Sequence, residues 1–340
     1  MRKSSNISTS SSNELILSTE KQNLHPRNKH RGRYDLDLLC KASSGLAKYV
    51  QPNAYGDLSI DFANAEAVIA LNIALLVMHY DIVYWALPKP FLCPPIPGRA
   101  DYVHYLADLL STGLTSATGA NVNILDIGTG ANVIYPLIGQ REYGWHFVGA
   151  DINSIALQNA QAIVNANHGL TESITLRLQS NPAAIFKGII QANDYFDATM
   201  CNPPFNASLK QAQIGSQRKL NNLAFTSAKN FEANIEKNLS GEIKMNRKLA
   251  KANKSPTLNF GGQAAELYCD GGEIGFLKKM ISESVQFKSQ CTWFTSLVSK
   301  AENLPKVYQA LNIANALQVK TIDMSQGQKK SRIIAWSYLK

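Results

Sequence analysis

The residues with the clearest chemical potential are Asn202, Pro203, Pro204 and Phe205, which directly follow an apolar run at 196–201. The two prolines fix φ and remove two N–H donors, so the neighbouring carbonyl groups lack local partners. An amine conjugated to an aromatic base is a weak nucleophile until acceptors hold its two hydrogens. The Asn202 side-chain carbonyl and the Pro203 backbone carbonyl could be those acceptors, and Phe205 could stack on the base.

This pattern favours transfer of a group to an amino nitrogen without an ionised general base. A simple proline turn after a strand is the alternative. Such a turn would explain the two prolines, but it would explain neither the asparagine before them nor the phenylalanine after them.

A second pattern, DIGTG at 126–130, ends a strand-like run and precedes a helical one. Glycine lets the backbone approach a ligand closely, and the following helix N-terminus favours negative charge. A nicotinamide fingerprint would place a third glycine at Val133, and no Walker lysine follows. We expect Asp126, Gly128 and Gly130 to bind another small cofactor; a tight turn that binds nothing is the alternative.

Asp151 ends the next strand-like run, 23 residues beyond Gly128. A carboxylate at this place can accept both hydroxyl groups of a ribose. Asp151 also immediately precedes a helical pattern, so it could instead be the N-cap of that helix. Together with the glycine loop, ribose binding is the favoured interpretation.

Strand-like and helical patterns alternate from about residue 121, which predicts a parallel sheet covered on both faces. Strands are expected at 122–127, 145–150, 174–178, 196–201, 291–298, 317–322 and 332–338. Helices are expected at 36–46, 62–80, 102–110, 133–138, 154–165, 182–191, 274–289 and 304–313. The last two strands have a link too short for a helical crossover, so they should pair antiparallel. We therefore predict an α/β fold of class I methyltransferase type, Rossmann-like, with seven strands and the last one antiparallel.

Positive charge is concentrated in two segments of the chain. The 340 residues include 34 Lys and Arg against 25 Asp and Glu, a net charge of +9. Residues 1–33 carry net +5 and residues 206–262 carry net +7, which leaves −3 for the remainder. Two basic segments on a weakly acidic body suggest a polyanionic partner, although solvated surface charge would look similar.

Several classes of protein are disfavoured by composition. The five cysteines form no CxxC pair, so neither a zinc site nor a disulfide framework is expected, and a reducing, cytoplasmic compartment fits better. The most apolar run, 67–78, is about half the ~20 residues of a membrane span, and the Ser-rich N-terminus has no apolar signal core. We expect no metal and no membrane partner. His25 and His30 are expected to be solvated or to face phosphates.

Several stretches carry a specific resemblance to one family. They are LHPRNKHRGRYDL (24–36), DFANAEAV (61–68), FLCPPIPGRADYVHYLADLL (91–110), ILDIGTGANVIYPLIG (124–139), CNPPF (201–205), LNFGGQ (258–263), GGE (271–273), WFTSLVSKAENLP (293–305) and QGQKKSRIIAW (326–336). On these stretches the chain resembles the bacterial 23S ribosomal RNA adenine-N6 methyltransferases, the large-subunit methyltransferase F family. It is more distantly similar to a eukaryotic small nuclear RNA adenine methyltransferase.

The resemblance implies methyl transfer from S-adenosylmethionine to N6 of adenine 1618 in 23S rRNA, as free RNA or in a large-subunit assembly intermediate. On the matching positions it implies that Gly128 and Asp151 contact the cofactor and that residues 202–205 form the adenine site. An arginine at the position of Arg99 helps to hold the cofactor in the distant relative.

These expectations divide the chain into three parts. Residues 1–23 are a disordered Ser/Asn-rich tail, residues 24–110 are a basic, mostly helical RNA-binding module, and residues 111–340 are the methyltransferase domain. A Lys-rich insertion occupies about 206–262, and its 223–255 part is longer than is usual in the family. The residues expected to contact the RNA backbone are Arg27, Lys29, Arg31, Arg33, Lys244, Arg247, Lys248 and Lys251.

Three other functions compete with this one. A DNA adenine methyltransferase could use the same NPPF chemistry, but no length is left for a separate target-recognition domain. A protein glutamine methyltransferase faces the same problem of a weakly nucleophilic amide nitrogen, but that class typically has tyrosine where this chain has Phe205. A nucleic-acid-binding module that has lost activity would not need a complete glycine loop, Asp151 and the NPPF stretch together.

Overall fold

The computed structural model, which describes residues 23–53, 55–112, 117–206, 269–326 and 329–340, contains one large sheet and one small hairpin. The hairpin pairs β1 (Val50–Pro52) with β2 (Leu58–Ile60). The strands of the sheet are β3 (Asn123–Ile127), β4 (His146–Asp151), β5 (Ile174–Leu178), β6 (Phe196–Cys201), β7 (Cys291–Val298), β8 (Gln318–Gln326) and β9 (Lys329–Ser337).

The strand order in the sheet is β5-β4-β3-β6-β7-β9-β8. Strands β3 to β7 pair in parallel, and β9 lies antiparallel between β7 and β8. The order in which strands are added to the sheet reverses at β3. Strands β4 and β5 extend the sheet on one side of β3, and β6 and β7 extend it on the other. That reversal creates a crevice at the carboxyl ends of β3, β4 and β6, where open α/β sheets bind ligands.

Helices cover both faces of the sheet. They are α1 (Leu36–Ala42), α2 (Ala65–Tyr80), α3 (Ile96–Ser111), α4 (Ile134–Tyr143), α5 (Ser154–Ala166), α6 (Gly272–Ser284) and α7 (Leu304–Ile313). None of the described helices is both long and apolar enough to cross a bilayer.

The buried apolar side chains form two large clusters. One joins α1, α2 and α3 with α4, α5 and the sheet, through residues such as Leu71, Leu106 and Leu137. The other packs α6 and α7 on the opposite face, through residues such as Leu277 and Val307. The N-terminal helices therefore share a core with the sheet, and a division between residues 110 and 111 stays a prediction.

The seven expected strands and their antiparallel last pair are confirmed. The helix expected at 182–191 is wrong, because no helix forms between β5 and β6. Pro182 lacks an amide proton, and the backbone N–H groups of residues 185, 186 and 187 all donate to the Glu283 carboxylate rather than to preceding carbonyls.

Several other helix boundaries differ from expectation. The helix expected at 133–138 spans Ile134–Tyr143, the one expected at 274–289 spans Gly272–Ser284, and the one expected at 62–80 begins at Ala65. The helix expected at 36–46 ends at Ala42, and a 3₁₀ helix, Ser44–Tyr49, follows it. The helix expected at 102–110 starts already at Ile96, because Pro97 is tolerated in a first helical turn. The tail at 1–22 and residues 207–268 of the Lys-rich insertion lie outside the described residues.

Candidate active site at the carboxyl edge of the sheet

A cavity of about 590 Å³ occupies the crevice above β3, β4 and β6. The residues expected from sequence that line it are Arg99, Gly128, Gly130, Asp151, Asn202 and Pro204. Phe205 lines a smaller adjoining cavity of about 60 Å³, whose wall shares Arg99 and Asn202 with the first. Asp126 and Pro203 are buried and line neither of these two cavities. The structure thus brings the separate sequence patterns to one place.

The glycine loop between β3 and α4 has a conformation that favours glycine. Gly128 has φ +74° and Gly130 has φ +67°, both in the left-handed region. The Gly128 and Thr129 amides donate to the Ala150 carbonyl at 2.8 and 3.0 Å, which fastens the loop to β4. A Cβ at Gly128 would meet no protein atom within 4 Å, so the loop leaves the cavity open. Space for a ligand beside the backbone is therefore built into the turn.

Asp151 ends β4 and is tied to the glycine loop. Its Oδ2 accepts from the Gly130 amide at 2.9 Å, and its Oδ1 accepts from the Asn153 amide at 2.9 Å. The N-cap alternative for Asp151 is wrong, because the Asn153 side chain caps α5 by accepting from the Ile155 and Ala156 amides. Each carboxylate oxygen has a second acceptor site, so Asp151 can still accept hydroxyl groups from a ligand in the cavity.

Asp126 lies beneath the glycine loop, fully buried. Neither of its carboxylate oxygens, nor the Thr129 hydroxyl, has a hydrogen-bond partner that meets geometric criteria among the described residues. The pKa of Asp126 is raised to about 7, mainly by burial and to a smaller extent by the Asp151 charge, against the lowering effects of Thr129 and of the Arg99 charge. An unsatisfied carboxyl group at this position is costly unless something else compensates it.

Arg99 lies in the first turn of α3, on the wall between the two cavities. Its Nη1 donates to the Tyr135 hydroxyl at 2.8 Å, and its guanidinium stands 5.3 Å from the centroid of the Tyr135 ring. The side chain is therefore held in place by α4 and presents a fixed positive charge to the crevice.

The NPPF stretch leaves the sheet at the carboxyl end of β6. The Asn202 Oδ1 atom is buried and has no hydrogen-bond partner among the described residues. Asn202 lines both cavities, so this residue stands at their boundary. A buried carbonyl oxygen without a partner is rare in proteins and points to a donor that arrives with a ligand. The role of Asn202 Oδ1 as an acceptor for a substrate amine stays a prediction.

Sequence reasoning missed the wall that faces the glycine loop. Residues 182–185 line the large cavity, together with Gln179 and, from α6, Phe276 and Lys279. Two side chains shape this wall: Glu283 accepts from the three amides at 185–187, and Gln179 Nε2 donates to the Ile185 and Lys187 carbonyls. The dipeptide Asn181-Pro182 is a turn signal that could have revealed a loop here. No local signal connects Glu283 with it.

The expected RNA contacts of the N-terminal segment are engaged within the protein. Arg27 donates to Asp108 at 2.5 Å and to the Tyr143 hydroxyl at 3.0 Å. Lys29 pairs with Glu142 at 2.6 Å. These contacts fasten the segment to α3 and α4, and they partly neutralise two of its positive charges.

The other two basic residues lie further along the same segment. Arg33 pairs with Asp57 at 2.5 Å, although its side chain remains 61% exposed. Arg31 donates to the Pro26 carbonyl at 3.5 Å. The basic residues expected to contact RNA in the insertion lie outside the described residues: Lys244, Arg247, Lys248 and Lys251.

The expectation that His25 and His30 are solvated or face phosphates is wrong. Both are buried, with 4% and 0% of their surface exposed. His25 Nε2 lies 2.9 Å from Asp108 Oδ2, and His30 Nε2 lies 2.8 Å from the Tyr80 hydroxyl. Paired polar partners inside the protein allow these rings to be buried.

Three comparisons place the chain among known proteins. A family model described as RNA methyltransferase (Methyltransf_10) matches residues 18–340. The ribosomal RNA large subunit methyltransferase F of Methylobacillus flagellatus is 56% identical over 324 residues, covering 95% of this chain and 94% of that protein. The protein of the same name from Pectobacterium atrosepticum is 51% identical over 320 residues, with 94% of each chain covered.

Solved structures of human METTL16 share the fold. Its catalytic domain in complex with MAT2A 3′UTR hairpin 1 aligns with a TM-score of 0.72 at 25% identity, covering 94% of this chain and 96% of that one. Its N-terminal domain in complex with SAH aligns with a TM-score of 0.69 at 23% identity, covering 93% and 99%. The fold is therefore that of a class I S-adenosylmethionine-dependent methyltransferase. Since the family model and the bacterial relatives span nearly the whole chain, this chain belongs to the RNA methyltransferase family that includes the large-subunit methyltransferases F.

Proposed function

We propose that this chain transfers a methyl group from S-adenosylmethionine to N6 of one adenine in 23S ribosomal RNA, adenine 1618. The observation that carries the proposal is that Asn202 lines both cavities and that its buried Oδ1 has no hydrogen-bond partner in the described part of the chain. The names of the bacterial relatives support ribosomal RNA as the substrate class. The RNA hairpin bound to the human domain supports an RNA-binding surface on this fold.

The residues around the large cavity fit S-adenosylmethionine. Gly128 leaves room beside the backbone, Gly130 lines the cavity, and Asp151 offers acceptor sites for ribose hydroxyl groups. When bound, S-adenosylmethionine supplies an electrophilic methyl group on a positively charged sulfur. Arg99 is suited to hold a carboxylate of the cofactor, because its guanidinium is fixed by Tyr135 at the cavity wall.

Asp126 is proposed to contribute to cofactor binding through its charge. It lines neither cavity, but it lies beneath the glycine loop, and within the described ranges neither of its oxygens has a hydrogen-bond partner. A positively charged ligand above the loop favours the ionised form of a buried carboxyl group. Burial raises the pKa of Asp126 to about 7, so this ionisation falls in the physiological range.

Residues 202–205 are proposed to activate and position the adenine. The Asn202 Oδ1 accepts one hydrogen of the N6 amine and the Pro203 carbonyl accepts the other, which frees the nitrogen lone pair. Phe205 stacks on the base, and Pro204 contributes to the wall of the large cavity. Holding both reactants in line supplies most of the rate gain, and no ionised general base is required.

RNA is proposed to contact the two basic segments of the chain. Arg27, Lys29 and Arg33 each form an ion pair with a carboxylate. The Arg33 side chain nevertheless remains 61% exposed, so we place phosphate contacts at Arg33 and at the neighbouring Arg31. Lys244, Arg247, Lys248 and Lys251 are proposed to make further contacts with phosphates. The substrate is 23S rRNA or a large-subunit assembly intermediate, and the reaction takes place in the cytoplasm.

A salt series tests the RNA contacts. The slope of log affinity against log salt is about 0.7–0.9 per phosphate contact. Arg31→Ala with Arg33→Ala, and separately alanine at the four basic residues of 244–251, should each flatten the slope, with unchanged cofactor affinity. The control is the double variant Lys288→Ala with Lys306→Ala, which removes two exposed positive charges on the α6–α7 face. It should leave the slope unchanged. If neither basic set changes the slope, RNA is held elsewhere.

Mass spectrometry of 23S rRNA fragments tests the function as a whole. One N6-methyladenine should disappear when the gene is deleted and return with the wild-type gene, but not with Asn202→Ala. The purified protein should methylate 23S rRNA and neither duplex DNA nor glutamine-containing peptides. Retention of every N6-methyladenine in the deletion strain would contradict the proposal, and methylation of DNA or peptide would favour one of the competing functions.

A further inference from the structure

The strand that carries the catalytic stretch is held unevenly by its two neighbours. On one side β6 pairs with β3 as far as Ile127↔Cys201. On the other side its register with β7 comprises Phe196↔Cys291 and Ala198↔Trp293, and stops before the last three residues. The Cys201 amide, directly before Asn202, therefore needs a partner other than the β7 backbone.

That partner is the Tyr102 hydroxyl from α3. The Cys201 amide donates to it at 3.3 Å, and the same hydroxyl lies 2.7 Å from Thr295 Oγ1 on β7. Thr295 Oγ1 in turn donates to the Thr199 carbonyl at 2.6 Å, while the Thr295 amide donates to the Thr199 hydroxyl at 3.2 Å. These side chains replace the missing backbone ladder between β6 and β7.

The donor and the acceptor of each hydrogen bond in this chain can be assigned. A hydroxyl group has a single proton, and the proton of Thr295 is given to the Thr199 carbonyl. The Tyr102 hydroxyl must then donate to Thr295 and accept from Cys201. This chain of hydrogen bonds, the relay, runs from Cys201 through Tyr102 and Thr295 to Thr199, so it begins and ends on β6. Tyr102 and Thr295 are both fully buried. A buried network in which every member is satisfied is rigid.

The same helix also carries Arg99, one turn before Tyr102. Arg99 is fixed by the Tyr135 hydroxyl, and the rings of Tyr102 and Tyr135 meet edge to face at 5.4 Å. One face of α3 therefore contacts the end of the catalytic strand, and its first turn contributes to the cavity wall. Their relative position is set by a single rigid element.

We propose that the Tyr102 hydroxyl, which Thr295 holds in place, is a positioning group for methyl transfer. It sets where the Asn202 side chain stands relative to the cofactor cavity. This inference rests on the proposed function. Tyr102 touches neither the amine nor the cofactor, and its effect is exerted through the backbone of Cys201. A displacement of about 1 Å at a reacting group can lower a rate by about 10²-fold.

The test compares Tyr102→Phe with Tyr338→Phe. Both remove one tyrosine hydroxyl that bonds across elements, but Tyr338 bonds Ser284 and lines neither cavity. We expect Tyr102→Phe to lower kcat by about 10- to 100-fold, with KM for RNA and Kd for S-adenosylmethionine within about threefold of wild type. Tyr338→Phe should leave kcat within twofold. A kcat of Tyr102→Phe within twofold of wild type would overturn the inference.

A second pair of variants covers the case in which Tyr102→Phe fails to fold. Thr295→Val removes the hydroxyl group that joins Tyr102 to the Thr199 carbonyl, and Thr295→Ser keeps it. The valine variant should show the same loss of kcat, and the serine variant should restore it to within about threefold of wild type. Equal kcat values for the two variants would contradict the relay.

Hydrogen exchange separates this inference from the proposed function. The Cys201 amide should exchange faster in Tyr102→Phe than in wild type or Tyr338→Phe, whatever RNA is added. If the wild-type protein leaves 23S rRNA unmethylated, the proposed function fails and the exchange of Cys201 still decides whether Tyr102 positions the strand. Unchanged exchange would refute the inference even if the wild-type protein methylates 23S rRNA.

Discussion

Replacing Asp126 with asparagine should change how the stability of the ligand-free protein depends on pH. Burial raises the pKa of Asp126 from its usual 3.8 to about 7 in the folded state. Between these two values the folded protein binds a proton that the unfolded chain releases. Wild-type stability from this group is therefore present below about pH 4 and is lost as the pH rises to about 7.

The magnitude follows from the same two values. A pKa difference of one unit corresponds to about 1.4 kcal/mol, so this group lowers the free energy of unfolding by about 4 kcal/mol between pH 4 and 7. Asparagine has nearly the same shape and does not ionise. The stability of Asp126→Asn relative to wild type should thus rise by about 4 kcal/mol over this range. At roughly 2 °C per kcal/mol for a large domain, the Tm difference should grow by about 8 °C.

Thermal unfolding of both proteins without cofactor, at half-unit steps from pH 4.5 to 7.5, measures this difference. Subtracting the two Tm values cancels the contributions of other titrating groups, such as Asp108 and Asp194. Burial alone would raise the pKa values of these two carboxyl groups, but hydrogen bonds and the charges of Arg27, for Asp108, and Arg177, for Asp194, lower them. Tm curves that stay parallel across the range would refute the argument, because Asp126 would then titrate alike in the folded and unfolded states.

The remaining predictions concern the cavity. Asn202→Ala should bind S-adenosylmethionine normally but lose about 10²–10³ in kcat on rRNA, since one oriented acceptor is removed; near-normal turnover would show that its role is misassigned. Asp151→Ala should weaken cofactor binding by about 10- to 100-fold in calorimetry, and an unchanged Kd would leave Asp151 only its bonds to the Gly130 and Asn153 amides. Glu283→Gln should lower the affinity for the cofactor about tenfold, because three backbone amides of the cavity wall lose a charged acceptor. Glu302→Gln, on an exposed turn, is the control. In wild type, but not in Asp126→Asn, cofactor affinity should rise as the pH increases through about 7.

Much of the candidate site could be predicted from sequence because its parts are local. The NPPF stretch and the glycine loop each occupy a few consecutive residues at the end of a strand. Strand ends are marked by apolar runs, and parallel strands bring their carboxyl ends to one edge of a sheet. The topology follows from the same runs, which is why the antiparallel pairing of β8 and β9 was predictable from the length of their link alone.

Only the tertiary structure decided which polar groups are already used. Asp151 and Asn153 both precede α5 and both could cap it, and the choice depends on the Gly130 amide 21 residues earlier in the chain. The charges of Arg27 and Lys29 look free in the sequence, yet they face carboxylates 81 and 113 positions away. Composition records charge, but it does not record the pairing of charges.

The same limit applies to the loop at 182–191 and to Tyr102. The helical pattern of that loop is overridden by Glu283, which lies about a hundred residues further along and takes its backbone amides. Tyr102 looks like an ordinary core residue in α3, and the role proposed for its hydroxyl depends on the backbone register of β6 with β7 ending before Cys201. Local chemistry and the succession of strands and helices along the chain are thus determined by neighbouring residues, whereas hydrogen-bond partners distant in sequence are determined only when the chain has folded.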